Sequence, residues 1–533
     1  MPKLGVKSPF LHPLLFALWM VLIWYGIGLG EFLPEEVVFP AFISMSAAFL
    51  LTAIFALVFR NVAKGAVFAT CAIIAFFCFI EYEALALMLP WPRMKNPEMV
   101  LLVLYFILWL PVFVSVAVGA VKLGKYRIDF NWKEITSSLN LVGLLTCFAS
   151  LVMALAYEVP QNLQAFRLVD AQHKKDKSRT FAGKELPDIY YFVFDAYANP
   201  YTLEDLYGYD CTNFLDFLKS KGFYVALQSR ANHDYTNISL CSSLNMEYMN
   251  FLSPILGRNS LAQTAQFRMI ENSRVANYLK KHGYKIINIA SGYPPTNYIV
   301  GAEKNYNVGN SLVSTLMGAS VLGPLEPYTY WIWDYFARQR LFPFENIAEI
   351  AAIKGPKFVL CHTLISHPPF IFDENGKALV MPRKQIAQEF IKSPYLTQLK
   401  FAEKKMRQMI EYLVSGPAKN AIIIIQSDHG PYATDMKERK TYLNERMRIL
   451  NAYHLPDGNT NRLYQSITPV NSFRLLLDKY FNAGFDLLED KSFASFEQAH
   501  YMQFNDVTGE VGFPEKKQLF RRFSSESAKR GNN

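Results

Sequence analysis

Asp188-Ile-Tyr-Tyr-Phe-Val-Phe194, followed at once by Asp195, opens the second part of this chain with six consecutive β-branched or aromatic residues. An unbroken apolar run of that length, bounded by polar residues, predicts a strand buried on both faces. Similar runs recur at Lys285–Ile289, Phe358–Cys361 and Ala421–Ile425, separated by helical patterns. Ser273–His282 ends at Gly283, and Leu396, Leu399, Ala402, Met406, Met409, Ile410 and Leu413 trace one face of a longer helix. Strands alternating with helices predict an α/β domain with a mostly parallel sheet between helices, whose ligands gather at the C-terminal ends of the strands. Asp195 stands at one such end, and Gln426-Ser-Asp428-His429-Gly430 follows the last strand.

Upstream of residue 158 the composition changes. The 533-residue chain is 51% hydrophobic, and long apolar runs concentrate in its first 157 residues. A hydrocarbon core of about 30 Å needs roughly 20 apolar helical residues. Five spans are predicted, at Leu14–Gly30, Val37–Phe59, Gly65–Ile80, Met99–Val121 and Leu139–Tyr157. Lys3 and Lys7, then Arg60 and Lys64, then Lys122, Lys125, Arg127 and Lys133 mark alternate loops as cytoplasmic, with Arg93 and Lys95 on the opposite side. An odd number of spans places the rest of the chain outside, with the N-terminus in the cytoplasm.

The expected organisation is therefore a transmembrane anchor over residues 1–157, a linker over 158–186, a catalytic domain over 187–512 and a basic tail over 513–533. The net charge of +9 resides largely in the cytoplasmic loops, in His173–Arg179 and in the tail. That distribution suits anionic lipid headgroups and assigns no nucleic-acid role. Three of the six cysteines, Cys211, Cys241 and Cys361, fall outside the spans, and Cys211 with Cys241 is the one pairing suggested.

Four segments carry chemistry. A carboxylate and an imidazole at a strand end, Asp428 and His429, can share a divalent cation, with Gly430 letting the backbone turn. Asp195 reaches the same sheet edge, or would equally cap the helix that follows. Asn232-His-Asp-Tyr-Thr236 leads into a helical stretch, where Thr236 at the helix start would face an anion through free N–H groups, or would equally serve as an N-cap. Phe358-Val-Leu-Cys-His362-Thr-Leu-Ile-Ser-His367-Pro-Pro-Phe370 places two histidines at the mouth of another strand. They can orient a phosphate, protonate a leaving oxygen or bind a second metal.

Taken in order, these motifs resemble the alkaline phosphatase/arylsulfatase superfamily, in particular its membrane-anchored branch of phosphoethanolamine transferases and lipoteichoic acid synthases. Arg446–Pro456 and Pro469–Arg474 look like stretches of sulfatase-like proteins associated with envelope polysaccharides. The resemblance implies a metal held by Asp195, Thr236, Asp428 and His429, with Thr236, His362 and His367 as catalytic residues and Asn232, His362 and His367 contacting substrate. It implies transfer of a phosphoethanolamine- or phosphoglycerol-like group from a membrane phospholipid to an envelope glycan or lipid through a phospho-threonine. Hydrolysis at the same site, by a phosphodiesterase, phosphatase or sulfatase, and an inactive membrane scaffold are the alternatives. The location implied is the inner membrane, multi-pass, with an extracytoplasmic, periplasmic-type catalytic domain.

Two departures matter. None of Cys211, Cys241 or Cys361 begins the Cys/Ser-x-Pro-x-Arg pattern of formylglycine sulfatases, which disfavours ordinary sulfate-ester hydrolysis. Asp195 stands where the nearest transferases commonly carry Glu, which leaves zinc, manganese and magnesium open.

Overall fold

The computed structural model describes residues 8–87, 97–123, 126–175, 186–307, 309–325, 331–379, 392–434, 436–496 and 501–514. Lys3, Lys7, Arg93, Lys95, Lys125, residues 176–185 of the expected linker, residues 515–533 of the expected tail and the side chain of Trp331 lie outside them. The chain divides into two compact units, residues 1–163 with 309–334, and residues 164–308 with 335–533.

The first unit is helical. Helices run over Leu11–Ile27, Val38–Phe59, Val62–Phe77, Pro97–Val118 and Trp132–His173, one for each predicted span. Three apolar segments, Pro34–Phe59, Met99–Val118 and Trp132–His173, are long enough to cross a membrane, while Leu11–Ile27 and Val62–Phe77 are shorter. Among the described residues, three of the five predicted spans thus meet the length requirement. Their outer faces are apolar and uncovered: Leu57 is 79% exposed and Phe42 68%. In water such faces would be costly; in hydrocarbon they are not.

Two boundaries differ from expectation. Residues 158–173 are not an irregular linker, because the Trp132 helix continues through Pro160 to His173. Its Glu158 carboxylate accepts hydrogen bonds from the Tyr25 hydroxyl at 2.7 Å and from the Asn162 amide at 2.8 Å. The catalytic domain is also not continuous from 187, because residues 309–334 belong to the first unit. There the Ser311–Ala319 helix sets Leu312 and Leu316 against Val21, Tyr25 and Ala154. The Glu36 carboxylate accepts the Ser311 N–H at 3.0 Å, and Asn310 caps the helix by accepting the Val313 N–H. The polar residues among Leu312, Leu316 and Ala319 obscure this nine-residue helix in a sequence scan.

The second unit is built on a seven-stranded sheet. Its strands are β1 (Ile189–Phe194), β2 (Phe223–Val225), β3 (Lys285–Ile289), β4 (Lys304–Tyr306), β5 (Lys357–Thr363), β6 (Ile422–Gln426) and β7 (Asn451–His454), in spatial order β2-β7-β6-β1-β5-β3-β4. The pairs β6-β1, β1-β5, β5-β3 and β3-β4 are parallel, while β7 runs antiparallel to both its neighbours. The four apolar runs are the four central strands, and every residue of β1, β5 and β6 is buried. β2, β4 and β7 have only three or four residues, too few for a periodic signal. The two predicted helices appear as Arg274–Lys281, capped by Ser273, and Lys392–Ser415.

All six cysteines are free. The suggested Cys211–Cys241 bridge does not form, because Cys241 points from the middle of the Thr236–Asn245 helix into the core, with its thiol 3.3 Å from the Met249 sulfur.

The central core stacks Phe473 edge-on to Tyr191 and Phe358, at centroid separations of 5.0 and 5.8 Å. Replacing Phe473 by Ala should cost about 3–5 kcal/mol. Chemical denaturation followed by the loss of the sheet's far-ultraviolet circular dichroism checks this, because all seven tryptophans lie in the first unit, and a loss below 1 kcal/mol would contradict the packing.

Candidate metal and nucleophile site

Register brings the motifs together. Val193 of β1 lies beside His362 of β5 and Gln426 of β6, so the residues that follow these strands emerge at one edge. Just past β1, Ala196 has φ +59°, a left-handed conformation unfavourable for a residue with a Cβ. The turn aims the Tyr197 N–H at the Ser427 hydroxyl, 3.0 Å away, and the Ala196 N–H at the Asp428 carboxylate, 3.4 Å away. Ser366 donates to the Asp195 carbonyl at 2.7 Å.

Asp195, His362 and Asp428 each offer an atom within 4.8 Å of the others'. His362 Nε2 is 3.3 Å from Asp195 Oδ2, and His429 Nε2 is 3.2 Å from Asp428 Oδ2 and 3.7 Å from Asp195 Oδ1. Thr236 Oγ1 lies 2.9 Å from His429 Nε2. Thr236 is the first residue of the Thr236–Asn245 helix and remains partly exposed, and Ser239 ties the helix to the site by donating to the Asp428 carbonyl at 2.7 Å. Thr236 does not serve as the N-cap: Tyr235 occupies that position, without a side-chain cap.

The electrostatics are those of a site short of positive charge. Burial works to raise the Asp195 pKa, but the His367, His362 and His429 imidazoles outweigh it and hold that carboxyl below the usual range. Burial and the Asp195 charge push Asp428 well above it. Burial, reinforced by the Arg446 charge, drives His429 well below its usual value, and burial also lowers His367. The two acids are thus driven apart, one carboxyl down and its neighbour up. Asp195 Oδ1, Asp428 Oδ2 and His362 Nε2 are all buried without a hydrogen-bond partner. Orphaned polar atoms of this kind are costly, and a divalent cation would satisfy all three while offsetting the carboxylate charge. The residues fit a metal.

Two expected site residues lie deeper than the sequence suggests. His362 is the penultimate residue of β5 rather than a residue at its mouth, and is fully buried. Its Nδ1 meets the Ser291 hydroxyl at 2.9 Å and its Nε2 faces Asp195, inside the cluster rather than at its opening. Asn232 is also fully buried, and its amide is consumed: it donates to the Lys491 carbonyl at 2.8 Å and accepts the Val470 N–H at 2.7 Å. His367 is the histidine at the mouth, with Nδ1 2.7 Å from its neighbour's carbonyl, Pro368 O. Gly430 is required for a reason other than turning, since a Cβ there would lie 2.0 Å from the Glu445 carbonyl oxygen.

Sequence reasoning missed Ser291, although it follows β3 at the same sheet edge and the strand-end rule would have found it. It also missed Asp234, whose carboxyl burial pushes up to about 7 against the pull of Arg446. Arg446 itself, remote in sequence, donates from Nε to the Asp234 carbonyl at 2.6 Å and from Nη1 to the Gly430 carbonyl at 2.8 Å.

A parallel sheet presenting acids, imidazoles and a helix-start threonine at one edge defines an enzyme of phosphoryl or sulfuryl transfer. Residues 204–474, just over half of the chain, match the sulfatase family model, and the chain belongs to the sulfatase family. No curated protein matches it. Solved structures similar to it include the C-terminal periplasmic domain of EcEptC from Escherichia coli, at 14% identity and TM-score 0.38, covering 60% of this chain and 94% of that one. The lipooligosaccharide phosphoethanolamine transferase EptA from Neisseria meningitidis, at 13% identity and TM-score 0.38, covers 90% of this chain and 96% of its own. The lipoteichoic acid synthase LtaP from Listeria monocytogenes, at 12% identity and TM-score 0.35, covers 64% and 82%. Membership rests on the matched family model.

Ala196→Gly should stabilise the protein by about 1 kcal/mol by relieving the left-handed backbone, whereas Gly430→Ala should displace the Glu445 backbone and lower metal content. Thermal melts and elemental analysis of the two variants check both; a destabilised Ala196→Gly protein would count against strain at that turn.

Proposed function

We propose that the chain transfers a phosphoethanolamine- or phosphoglycerol-like group from a membrane phospholipid to an envelope glycan or lipid, with Thr236 as nucleophile. The observation carrying this reading is Thr236 Oγ1 at a helix N-terminus, 2.9 Å from His429 and beside the buried Asp195–His362–Asp428 cluster. Apolar helices long enough to span a bilayer favour a lipid donor. The missing formylglycine pattern favours a phosphoryl over a sulfuryl group. In this reading the second unit faces the extracytoplasmic side.

Asp195, Asp428, His429 and Thr236, with His362 added by the geometry, are the residues that would hold a divalent ion; zinc, manganese and magnesium all accept such donors. When bound, it would lower the pKa of the threonine hydroxyl and offset charge on the phosphoryl oxygens. Thr236 Oγ forms a bond to phosphorus as the bond from phosphorus to the lipid glycerol oxygen breaks. The threonine proton is released, and one proton is returned to the leaving oxygen. His367 suits that relay: its Nδ1–H donates to the Pro368 carbonyl, which leaves Nε2 for the proton, and burial lowers the ring's pKa. The helix N-terminus offers free N–H groups to the phosphoryl oxygens. An acceptor hydroxyl then attacks phosphorus, and Thr236 regains its proton.

Incubation of the detergent-purified protein with labelled phosphatidylethanolamine or phosphatidylglycerol should leave a headgroup-phosphate adduct on Thr236, read by mass spectrometry. Thr236→Ala should abolish the adduct and cut turnover by more than about 10³-fold. An adduct persisting in Thr236→Ala, or turnover untouched by exhaustive chelation, would sink the mechanism. Free headgroup phosphate released without acceptor would indicate a hydrolase.

A further inference from the structure

Arg446 is almost fully buried, at 7% exposure, and makes no ion pair within 4.0 Å among the described residues. A buried guanidinium without a carboxylate partner is unusual, because desolvating the charge is expensive. Its position is over-determined. Nε is bonded to the carbonyl of Asp234, two residues before Thr236, and Nη1 to the carbonyl of Gly430, one residue after His429. The guanidinium carbon lies 5.2 Å from the centre of the Tyr432 ring, and the same ring is 6.1 Å from the ring of His367. The fork is thus bolted to both the nucleophile segment and the ligand segment, on the side where Tyr432 and His367 open to solvent. Nη2 makes no hydrogen bond among the described residues.

We propose that Arg446 is an anion-binding residue of this site, whose open Nη2 edge takes a non-bridging oxygen of the tetrahedral oxyanion presented to Thr236. The inference rests on the phosphoryl-transfer reading and deepens it. Asp234 and Asp428 feel the charge of Arg446 but neither carboxylate pairs with it directly, and a phosphodiester can do so with two unesterified oxygens. Two pinned nitrogens leave the third little freedom, so the donor is pre-organised and loses little entropy on binding. An arginine serving only as a brace between two carbonyls would be indifferent to anions.

The test is calorimetric titration of inorganic phosphate into the full-length, detergent-solubilised, zinc-loaded protein. Arg446→Gln should weaken phosphate binding by about 10- to 100-fold while retaining zinc. Arg446→Lys keeps a cation against Tyr432 and provides the readout should the Gln protein not fold; without the fork it should bind phosphate several-fold more weakly than wild type. Wild-type affinity in either folded, zinc-loaded variant overturns the role of Arg446 and leaves Thr236 as nucleophile untouched. A zinc-loaded wild-type protein that binds no phosphate overturns the phosphoryl-transfer reading as well.

Discussion

Two carboxylates buried side by side repel each other, and the C-terminal edge of this sheet is organised around that conflict. Asp195 and Asp428 are brought together because β1 and β6 are adjacent and parallel in a register that ends both strands at the same level. Water cannot dilute their repulsion, since both are at most 2% exposed. Three imidazoles are gathered about Asp195, and the start of the Thr236–Asn245 helix lies beside His429, so N–H donors and the helix dipole converge on the acids. The strained Ala196 backbone is retained because it lends two N–H groups to the Ser427–Asp428 segment. Local instability is tolerated where the assembled site has a use for it.

Much of this was legible before any coordinates. A run such as Ile422–Ile425 has one reading in a mixed α/β pattern, and parallel strands deliver their following residues to a shared edge. Asp195, Thr236, Asp428 and His429 therefore converge as their positions in sequence imply. What escaped were features set by long-range packing. β5 extends two residues beyond its apolar run, and those two residues move His362 from a mouth to a fully buried position facing Asp195. Asn232 looks available in sequence, but its amide is used up by Lys491 and Val470, more than 200 residues away. Gly430 reads as a turn residue, yet the constraint is the passing backbone of Glu445. No local pattern announces a contact of that kind.

The two histidines of the 358–370 segment show how five residues of separation can divide labour. His362 sits within the strand and is clamped between Ser291 and Asp195, so its ring has one orientation. His367 follows in a turn, and its ring meets an exposed tyrosine. One is suited to holding still, the other to exchanging protons with whatever enters. Spacing alone could not distinguish them, because the distinction lies in where the strand stops.

The Ser311–Ala319 helix has a consequence for how the protein is made. Because residues 309–334 complete the helical unit, that unit is discontinuous in the chain and cannot finish assembling when its last long helix leaves the ribosome. Its missing piece is synthesised some 150 residues later, after β1, β2, β3 and β4. Until then Leu312 and Leu316 have no partner, and the surface around Val21 and Tyr25 stands uncovered. A polypeptide released by cutting at residue 164 would carry the apolar helix without its receptor, and the first 163 residues alone would expose the receptor without its helix. The boundary drawn by composition is therefore a poor place to divide the gene.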